Sequence, residues 1–180
     1  MIRALVMMAA LLLTPHLAFA QKAANDPANT LVLELKGGKV LIKLRPDLAP
    51  NHVERVKQLA KDGFYKGLKW HRVIDGFMAQ SGDPTGTGRS GSKYGSLKAE
   101  FTPDVYQRGT VGAARTGDPD SANSQFFICF GDECRSLTGK YTIWGEVIEG
   151  MDAVDQIERG QPPANPDTIL NAYILADAKT

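Results

Sequence analysis

The feature that most constrains the fold is an alternation of apolar and polar residues along 30–44, TLVLELKGGKVLIKL, with Gly37-Gly38 at its centre. Alternation on both sides of two glycines is typical of a β-hairpin closed by a two-residue turn. Further short apolar stretches lie between glycine- and proline-rich segments, at 70–80, 125–130, 141–148 and 168–177. Many short strands in a chain of 180 residues predict one domain built as a closed or nearly closed antiparallel barrel.

Two amphipathic segments are predicted as helices that cap the ends of this barrel. The first starts at Pro50 and ends near Gly63, with apolar residues at helical spacing at Val53, Val56, Leu59 and Ala60. The second covers 151–160 and ends in a glycine stop, with one apolar face made of Met151, Val154 and Ile157. The predicted fold is therefore mainly β with two α-helices.

The first twenty residues differ from the rest of the chain. Arg3 precedes an apolar run, and Ala18-Phe19-Ala20 has the small residues of a cleavage site, so residues 1–20 are predicted to be a secretory signal peptide. A membrane anchor is the competing interpretation. Thr14-Pro15-His16 interrupts the apolar run, however, well short of the roughly 20 residues that a membrane-spanning helix needs.

The exported chain is expected to begin with a flexible leader at 21–29, followed by one domain at 30–178. Cleavage removes one arginine and no acidic residue, which leaves equal numbers of basic and acidic side chains. A balanced charge offers no obvious contact to a phosphate backbone, so nucleic-acid binding is not expected. Membrane insertion is not expected after cleavage either.

Two cysteines, Cys129 and Cys134, are separated by four residues. Export to an oxidising compartment permits a disulfide between them, and a pair of reduced thiols is an equally open alternative. His52 and His71 show no pairing with these cysteines of the kind that a zinc site needs. No metal is predicted.

The glycine pattern GTGRSG at 86–91 matches the G-x-G-x-x-G signature of dinucleotide-binding proteins. That signature binds a pyrophosphate only when a strand precedes it and a helix begins on its last glycine. Here SGDPT precedes it and SKYGSLKAEF follows it, so the glycines are predicted to shape a surface loop. The G-x-S-x-G motif of serine hydrolases is absent, and no histidine lies close to either cysteine in the sequence.

The stretch WHRVIDGFMAQSGD at 70–83 is the most informative for chemistry. If 70–74 is a strand, Arg72 shares a face with Trp70 and Ile74. An arginine among large apolar side chains either pairs with another group, has a functional role, or extends its charged end to solvent at the edge of the barrel.

Other candidate site residues lie near Arg72 or later in the sequence. They are Phe77, Met78 and Gln80 in the same stretch, and Ser124, Gln125, Phe126 and Phe127 later. Alternation can place only one of the two adjacent phenylalanines on the barrel exterior, and together these residues predict an apolar pocket with a few polar groups.

At these residues the sequence resembles the cyclophilins, which are peptidyl-prolyl cis-trans isomerases that bind cyclosporin. The resemblance extends from about residue 30 to residue 176 and includes FYKGLKWHRVIDGFMAQSGD, GTGRSGSKYG, GTVGAARTGDPDSANSQFFICF and LTGKYTIWGEVIEGMD. It implies a closed antiparallel eight-stranded barrel capped by two α-helices.

The resemblance also implies roles for individual residues. Arg72 falls on the family's catalytic arginine. Two glutamines fall on the family's polar anchors: Gln80, which would orient Arg72, and Gln125. The implied proline pocket consists of Phe77, Met78, Phe127 and Leu137. Ala114 and Arg115 fall near the segment that contacts the peptide backbone. Tyr141 lies where many relatives have histidine, and Ser136 lies where cyclosporin-sensitive members have tryptophan, so cyclosporin binding is expected to be weak.

The implied activity is catalysis of rotation about Xaa-Pro bonds in proline-containing proteins that are folding, in the periplasm of a Gram-negative bacterium. This reaction makes and breaks no covalent bond, so no nucleophile, metal or cofactor is expected. The alternative is a proline-peptide-binding chaperone module without significant turnover. Arg72 argues against it, because binding a proline ring needs only the apolar walls. A hydrolase is a distant third.

Overall fold

The computed structural model describes residues 26–178, and these form one antiparallel sheet of eight strands with two α-helices. The strands are β1 (Thr30–Leu35), β2 (Gly38–Leu44), β3 (Arg72–Ile74), β4 (Met78–Ser81), β5 (Thr110–Ala113), β6 (Phe126–Cys129), β7 (Ile143–Glu149) and β8 (Asn171–Ile174). The helices are α1 (Pro50–Lys61) and α2 (Met151–Asp155). Short 3-10 helices cover Pro27–Asn29, Pro119–Ser121, Asp132–Leu137 and Leu175–Asp177.

The sheet is a half-barrel that is curled but open, so the expectation of a closed barrel was wrong. The strand order is β3-β4-β6-β5-β7-β2-β1-β8, and the two edge strands β3 and β8 share no ladder. The free edge of β3 is paired instead by the connection before β8, where Val73 and Gly160 exchange backbone hydrogen bonds of 2.8 and 2.9 Å. Because this connection already satisfies backbone groups of the edge strand, closure by β8 is not needed.

The N-terminal hairpin forms as expected, with its turn displaced by one residue. Leu35 pairs with Gly38, so the two turn residues are Lys36 and Gly37 rather than Gly37 and Gly38. A Cβ on Gly37 would lie 3.1 Å from the Cα of Ala153, so the turn packs closely against α2.

Helix α1 packs its apolar face against the sheet in the main core. Val53, Val56, Leu59 and Ala60 are buried there, as the helical spacing predicted. Pro50 occupies its first turn, and the carboxylate of Glu100 accepts hydrogen bonds from the backbone N–H groups of Asn51 and His52. This carboxylate thus accepts hydrogen bonds from two of the backbone N–H groups that have no partner within the first turn of a helix.

The two faces of the sheet carry separate apolar clusters. Phe126 lies in the main core between the sheet and α1, where its ring makes edge contacts with Tyr65, Trp70 and Trp144 at centroid distances of 5.6–5.7 Å. Phe127 lies in a smaller cluster on the outer face, as strand alternation predicted for one of the two phenylalanines.

Two other sequence-based expectations differ from the structure. Strand β3 begins only at Arg72, and Trp70, which precedes it, packs in the main core rather than on the face of Arg72 and Ile74. Helix α2 ends at Asp155, although Ile157 is still buried. Before β1, Pro27–Asn29 forms a 3-10 helix that is capped by Asp26.

The predicted signal peptide and residues 21–25 lie outside the described residues. Within 26–178, no helix has both the length and the apolar character needed to cross a membrane.

Candidate active site

Arg72 lies half-buried on β3, directly opposite Gln80 on β4. Its Nη1 donates a hydrogen bond of 3.3 Å to Gln80 Oε1, and its Nε donates one of 3.3 Å to Gln161 Oε1. Among residues 26–178, no carboxylate lies within ion-pair distance of this guanidinium. Neutral amide oxygens therefore orient Arg72 without neutralising its charge.

The side chain of Gln80 is itself held by two further hydrogen bonds in series. Gln80 Nε2 donates to Gln125 Oε1 at 2.9 Å, and Gln125 Nε2 donates to the backbone carbonyl of Ser90 at 2.8 Å. Each amide uses its oxygen as an acceptor and its nitrogen as a donor. The chain of contacts fixes the orientation of both glutamines and, through Gln80, the position of the Arg72 guanidinium.

A cluster of apolar side chains lies beside Arg72 on the outer face of the sheet. Arg72 Nη1 is 3.9 Å from Met78 Sδ, which connects the guanidinium to this surface. The cluster includes the buried Met78 and Phe127 and the partly buried Phe77, Leu137 and Tyr141, which are the side chains expected to contact a proline ring. We refer to these five residues as the apolar pocket.

Phe127 is held by aromatic neighbours on both sides. Tyr106 stacks on its ring at a centroid distance of 5.7 Å, and Tyr141 meets it edge-on at 5.8 Å. Burial raises the pKa of Tyr106 far above its usual range, so its hydroxyl stays neutral and donates to the carbonyl of Thr142. Strand β5 passes close to this stack at Gly112, where a Cβ would lie 2.6 Å from Phe127 Cζ.

Arg115 borders the apolar pocket through its contact with Tyr141. Its Nε and Nη2 donate to the backbone carbonyl of Lys140 at 3.1 and 2.8 Å, and its guanidinium carbon lies 4.4 Å from the centroid of Tyr141. The neighbouring Ala114 uses its backbone N–H to donate to the carbonyl of Gln125. Arg115 thus holds Tyr141 at the edge of the pocket by stacking and hydrogen bonding.

A cavity of about 280 Å³ adjoins Gln80 and Gln125. Its lining includes these two glutamines, Ala114, Arg115 and residues 88–92. The sequence-predicted site residues therefore lie together along one surface. Ser136 is exposed beside Leu137, and its hydroxyl donates to the carbonyl of Glu133.

The GTGRSG segment is a loop folded around the carboxylate of Asp83, and neither a strand nor a helix flanks it. Asp83 Oδ1 accepts from the backbone N–H of Thr85 at 2.7 Å, and Oδ2 accepts from those of Arg89 and Ser90 at 2.9 and 3.2 Å. Burial by itself would raise the pKa of Asp83, but these hydrogen bonds outweigh it and lower the pKa to about 2. The ionised carboxylate places Ser90 where its carbonyl can accept from Gln125.

Four residues at the site were missed from the sequence: Asp83, Ser90, Tyr106 and Gln161. Tyr106 and Gln161 come from irregular segments, and Gln161 lies 89 positions from Arg72. No spacing rule connects residues that meet in this way. Between residues 26 and 178, no three histidine, cysteine or acidic side chains are grouped as a metal site would need.

The structure joins Cys129 and Cys134 in a disulfide, which decides between the alternatives that the sequence left open. Cys129 lies on β6, and Cys134 lies in the 3-10 helix that ends at Leu137.

Comparison with known proteins identifies one family. Residues 30–174 match the model of the family described as cyclophilin type peptidyl-prolyl cis-trans isomerase/CLD. A probable peptidyl-prolyl cis-trans isomerase of Brucella suis biovar 1 (strain 1330) is 49% identical over 173 residues, which cover 87% of this chain and 88% of the relative. A peptidyl-prolyl cis-trans isomerase of Helicobacter pylori (strain J99) is 40% identical over 127 residues, 68% of this chain and 76% of the relative.

Similar solved structures belong to the same family. A crystal structure of the cyclophilin AquaCyp293 from Hirschia baltica superposes with a TM-score of 0.78 at 29% identity, covering 86% of this chain and 76% of that one. A cyclophilin-type peptidyl-prolyl cis-trans isomerase of Cryptosporidium parvum, crystallised in the presence of the dipeptide Ala-Pro, has a TM-score of 0.74 at 29% identity, with 81% and 98% of the two chains covered.

Proposed function

The chain belongs to the cyclophilin-type peptidyl-prolyl cis-trans isomerases, and we propose that it accelerates rotation about Xaa-Pro bonds where Arg72 faces the apolar pocket. Cyclophilin-type isomerase activity is supported by the family match and by the names of the relatives. The roles of individual residues are the part that we propose here. The observation that carries them is the position of an unneutralised guanidinium, oriented by Gln80, beside the apolar side chains that include Met78 and Phe127.

The barrier to this reaction is the partial double bond of the amide. Rotation about it costs about 18–20 kcal/mol, and the uncatalysed exchange takes tens to hundreds of seconds. In the twisted amide the proline nitrogen regains its lone pair and becomes a hydrogen-bond acceptor. A donor aimed at that nitrogen stabilises the twisted state more than either planar isomer, which is what lowers a barrier.

Arg72 is suited to be this donor. Its charge is not offset by a carboxylate, and Gln80 and Gln161 hold its guanidinium before any substrate arrives. A preorganised donor costs little reorganisation as the transition state forms. Arg72 therefore acts as the catalytic residue, and Gln80 acts as its positioning residue.

The apolar pocket would hold the proline ring while the preceding residue rotates. Met78 and Phe127 supply its buried floor, and Phe77, Leu137 and Tyr141 supply its sides. If the proline ring is held on one side of the Xaa-Pro bond, rotation about that bond moves only the residue before the proline, and the proline nitrogen stays near Arg72. Ala114 and Arg115, which line the adjoining cavity, would contact the peptide next to the proline.

The test is isomerisation of a short Xaa-Pro peptide by the native protein and by Arg72→Ala. We expect kcat/KM to fall about 100-fold, the loss typical of removing one donor to a developing charge. The fold should persist, because Arg72 is half-buried and its removal leaves no charge unpaired. The matched control is Arg55→Ala on α1, whose Nη1 donates to the carbonyl of Gly95 and which belongs neither to the apolar pocket nor to the lining of the adjoining cavity. An Arg72→Ala enzyme as fast as Arg55→Ala would exclude this mechanism, and peptide binding without acceleration by the native protein would favour the chaperone module.

We further propose that the protein acts after export, with proline-containing polypeptides that are folding as its substrates. The sequence at Ala18-Phe19-Ala20 supports cleavage after residue 20. The Cys129–Cys134 disulfide supports an oxidising compartment such as a Gram-negative periplasm. Mass spectrometry of the protein from fractionated cells tests this proposal, and a cytosolic protein that retains residues 1–20 would contradict it.

Weak binding of cyclosporin is proposed from Ser136, which presents a small hydroxyl where sensitive members have an indole. The indole would supply far more apolar contact area than serine can. A calorimetric titration with the drug, compared with the Ser136→Trp variant, tests this, and equal affinities would contradict it.

A further inference from the structure

The Cys129–Cys134 disulfide lies beneath the apolar pocket. Both cysteines are fully buried, and both belong to the outer-face cluster that contains Met78 and Phe127. Cys129 follows Phe127 by two positions on β6, so the two side chains project from the same face of the strand. Cys129 also pairs with Met78 across the β4–β6 ladder. One end of the disulfide is therefore fixed in the floor of the pocket.

The other end belongs to the segment 131–140. Side-chain hydrogen bonds also connect the far end of this segment to the rest of the protein, because Thr138 Oγ1 accepts from the backbone N–H of Tyr106. The carbonyl of Lys140 accepts from Arg115. Among residues 131–140, Cys134 is the only buried residue. Several hydrogen bonds of its 3-10 helix stay within that segment, such as those from Thr138 N to the carbonyl of Arg135 and from Ser136 Oγ to the carbonyl of Glu133. The disulfide is thus the buried covalent attachment of the helix that carries Leu137.

The geometry of a 3-10 helix links this attachment to the pocket wall. Such a helix has three residues per turn, so side chains three positions apart lie on the same side. Cys134 and Leu137 are three positions apart on the helix Asp132–Leu137. Fixing Cys134 over Cys129 therefore holds Leu137 over the neighbouring Phe127. The closed loop is short, so the disulfide constrains the unfolded chain less than a long-range one would.

We propose that the Cys129–Cys134 disulfide is a positioning element that holds Leu137 against the apolar pocket, so that the oxidised protein binds prolyl peptides more tightly than the dithiol form does. The inference rests on the proposed function, because it assigns Leu137 to the proline-binding surface. The hydrogen bonds that orient Arg72 run through Gln80, Gln125 and Ser90 and use no residue of 131–140. Breaking the disulfide should therefore affect binding and leave the catalytic step nearly unchanged.

The experiment compares the oxidised protein with two forms that lack the disulfide. One is the Cys129→Ala/Cys134→Ala variant. The other is native protein reduced by dithiothreitol, in which two electrons and two protons convert the disulfide to two thiols while the reagent becomes its own cyclic disulfide. Alkylation and mass measurement verify the two thiols. We expect KM for an Xaa-Pro peptide to rise about fivefold in both forms, with kcat within about twofold, because part of one side chain's apolar contact is lost.

A matched control separates positioning from general stability. Val56→Ala on α1 removes buried methyl groups from the main core and should destabilise the fold without changing KM. If Val56→Ala raises KM as much as loss of the disulfide does, the effect is global and the proposal is wrong. A fall in kcat at constant KM would overturn it as well.

The Leu137→Ala variant completes the test. Once Leu137 is absent, loss of the disulfide should raise KM by little more, because nothing is left to position. Full additivity of the two changes would overturn the proposal. If Leu137→Ala weakens binding and the disulfide-free forms do not, only the positioning role fails. If Leu137→Ala itself has no effect, the proposed proline pocket is misplaced.

Discussion

Replacing Asp83 by asparagine is expected to destabilise the fold in a manner that depends on pH. Asp83 is buried, and its carboxylate accepts backbone hydrogen bonds from Thr85, Arg89 and Ser90. Asparagine offers one oxygen and presents an NH₂ group to donors that can no longer be satisfied. The loop at 84–92 would therefore lose the anion around which it is folded.

The magnitude follows from the pKa of Asp83. The hydrogen bonds lower it from an ordinary value of 3.8 to about 2, and each pKa unit corresponds to about 1.4 kcal/mol, so the ionised carboxylate stabilises the fold by about 2 kcal/mol at neutral pH. Because the folded-state pKa lies below that of the unfolded chain, the unfolded chain takes up the proton first on acidification. The stabilisation is therefore complete above about pH 4 and is lost as the pH falls toward 2.

The assay is urea unfolding of the native protein and of Asp83→Asn between pH 7 and pH 2.5. The variant should be less stable by about 2 kcal/mol at pH 7, and the difference should shrink steadily below pH 4. Asp104→Asn, at an exposed position, serves as the matched control and should be as stable as the native protein at pH 7. A difference between native and Asp83→Asn that stays constant across this range would refute the reasoning, because it would not arise from ionisation.

Two further changes separate stability from catalysis. Phe126→Ala, which empties the centre of the main aromatic cluster, should lower the free energy of unfolding by about 3–5 kcal/mol in urea titrations, and a loss below about 1 kcal/mol would show that the core repacks. Gln80→Leu removes the acceptor for Arg72 and the donor for Gln125 and should lower kcat about tenfold with little change in KM, measured with an Xaa-Pro peptide. A raised KM at constant kcat would mean that Gln80 binds substrate rather than positions Arg72.

Local sequence patterns predicted the elements of this fold better than their assembly. Alternation identified the hairpin to within one residue and separated Phe126 from Phe127. Helical spacing identified the buried face of α1. Closure of the barrel was predicted wrongly, because strand periodicity does not show whether the first and last strands of a sheet pair. That outcome depends on single backbone contacts such as those between Val73 and Gly160.

In the candidate site too, contacts between neighbouring strands were easier to predict than contacts between distant segments. Arg72 and Gln80 face each other because a short turn joins β3 to β4, and such a contact between neighbouring strands is accessible to sequence reasoning. The assignment of Leu137 depended on resemblance to a family and not on spacing, as did the roles given to Arg72 and Gln80. Gln161 and Ser90 reach the same network from loops whose path is set by tertiary contacts. The sequence contains no periodicity that could reveal them.

Strand β6 explains why the core and the candidate site can be perturbed separately. Its residues alternate between the two clusters: Phe126 and Ile128 lie in the main core, whereas Phe127 and Cys129 lie under the pocket. A residue on one face therefore meets the other cluster only through the backbone. Changes on the inner face should lower stability with KM preserved, and changes on the outer face should alter KM first. A shift of β6 by one residue would exchange both sets at once, so the register of this single strand sets both the core and the substrate pocket.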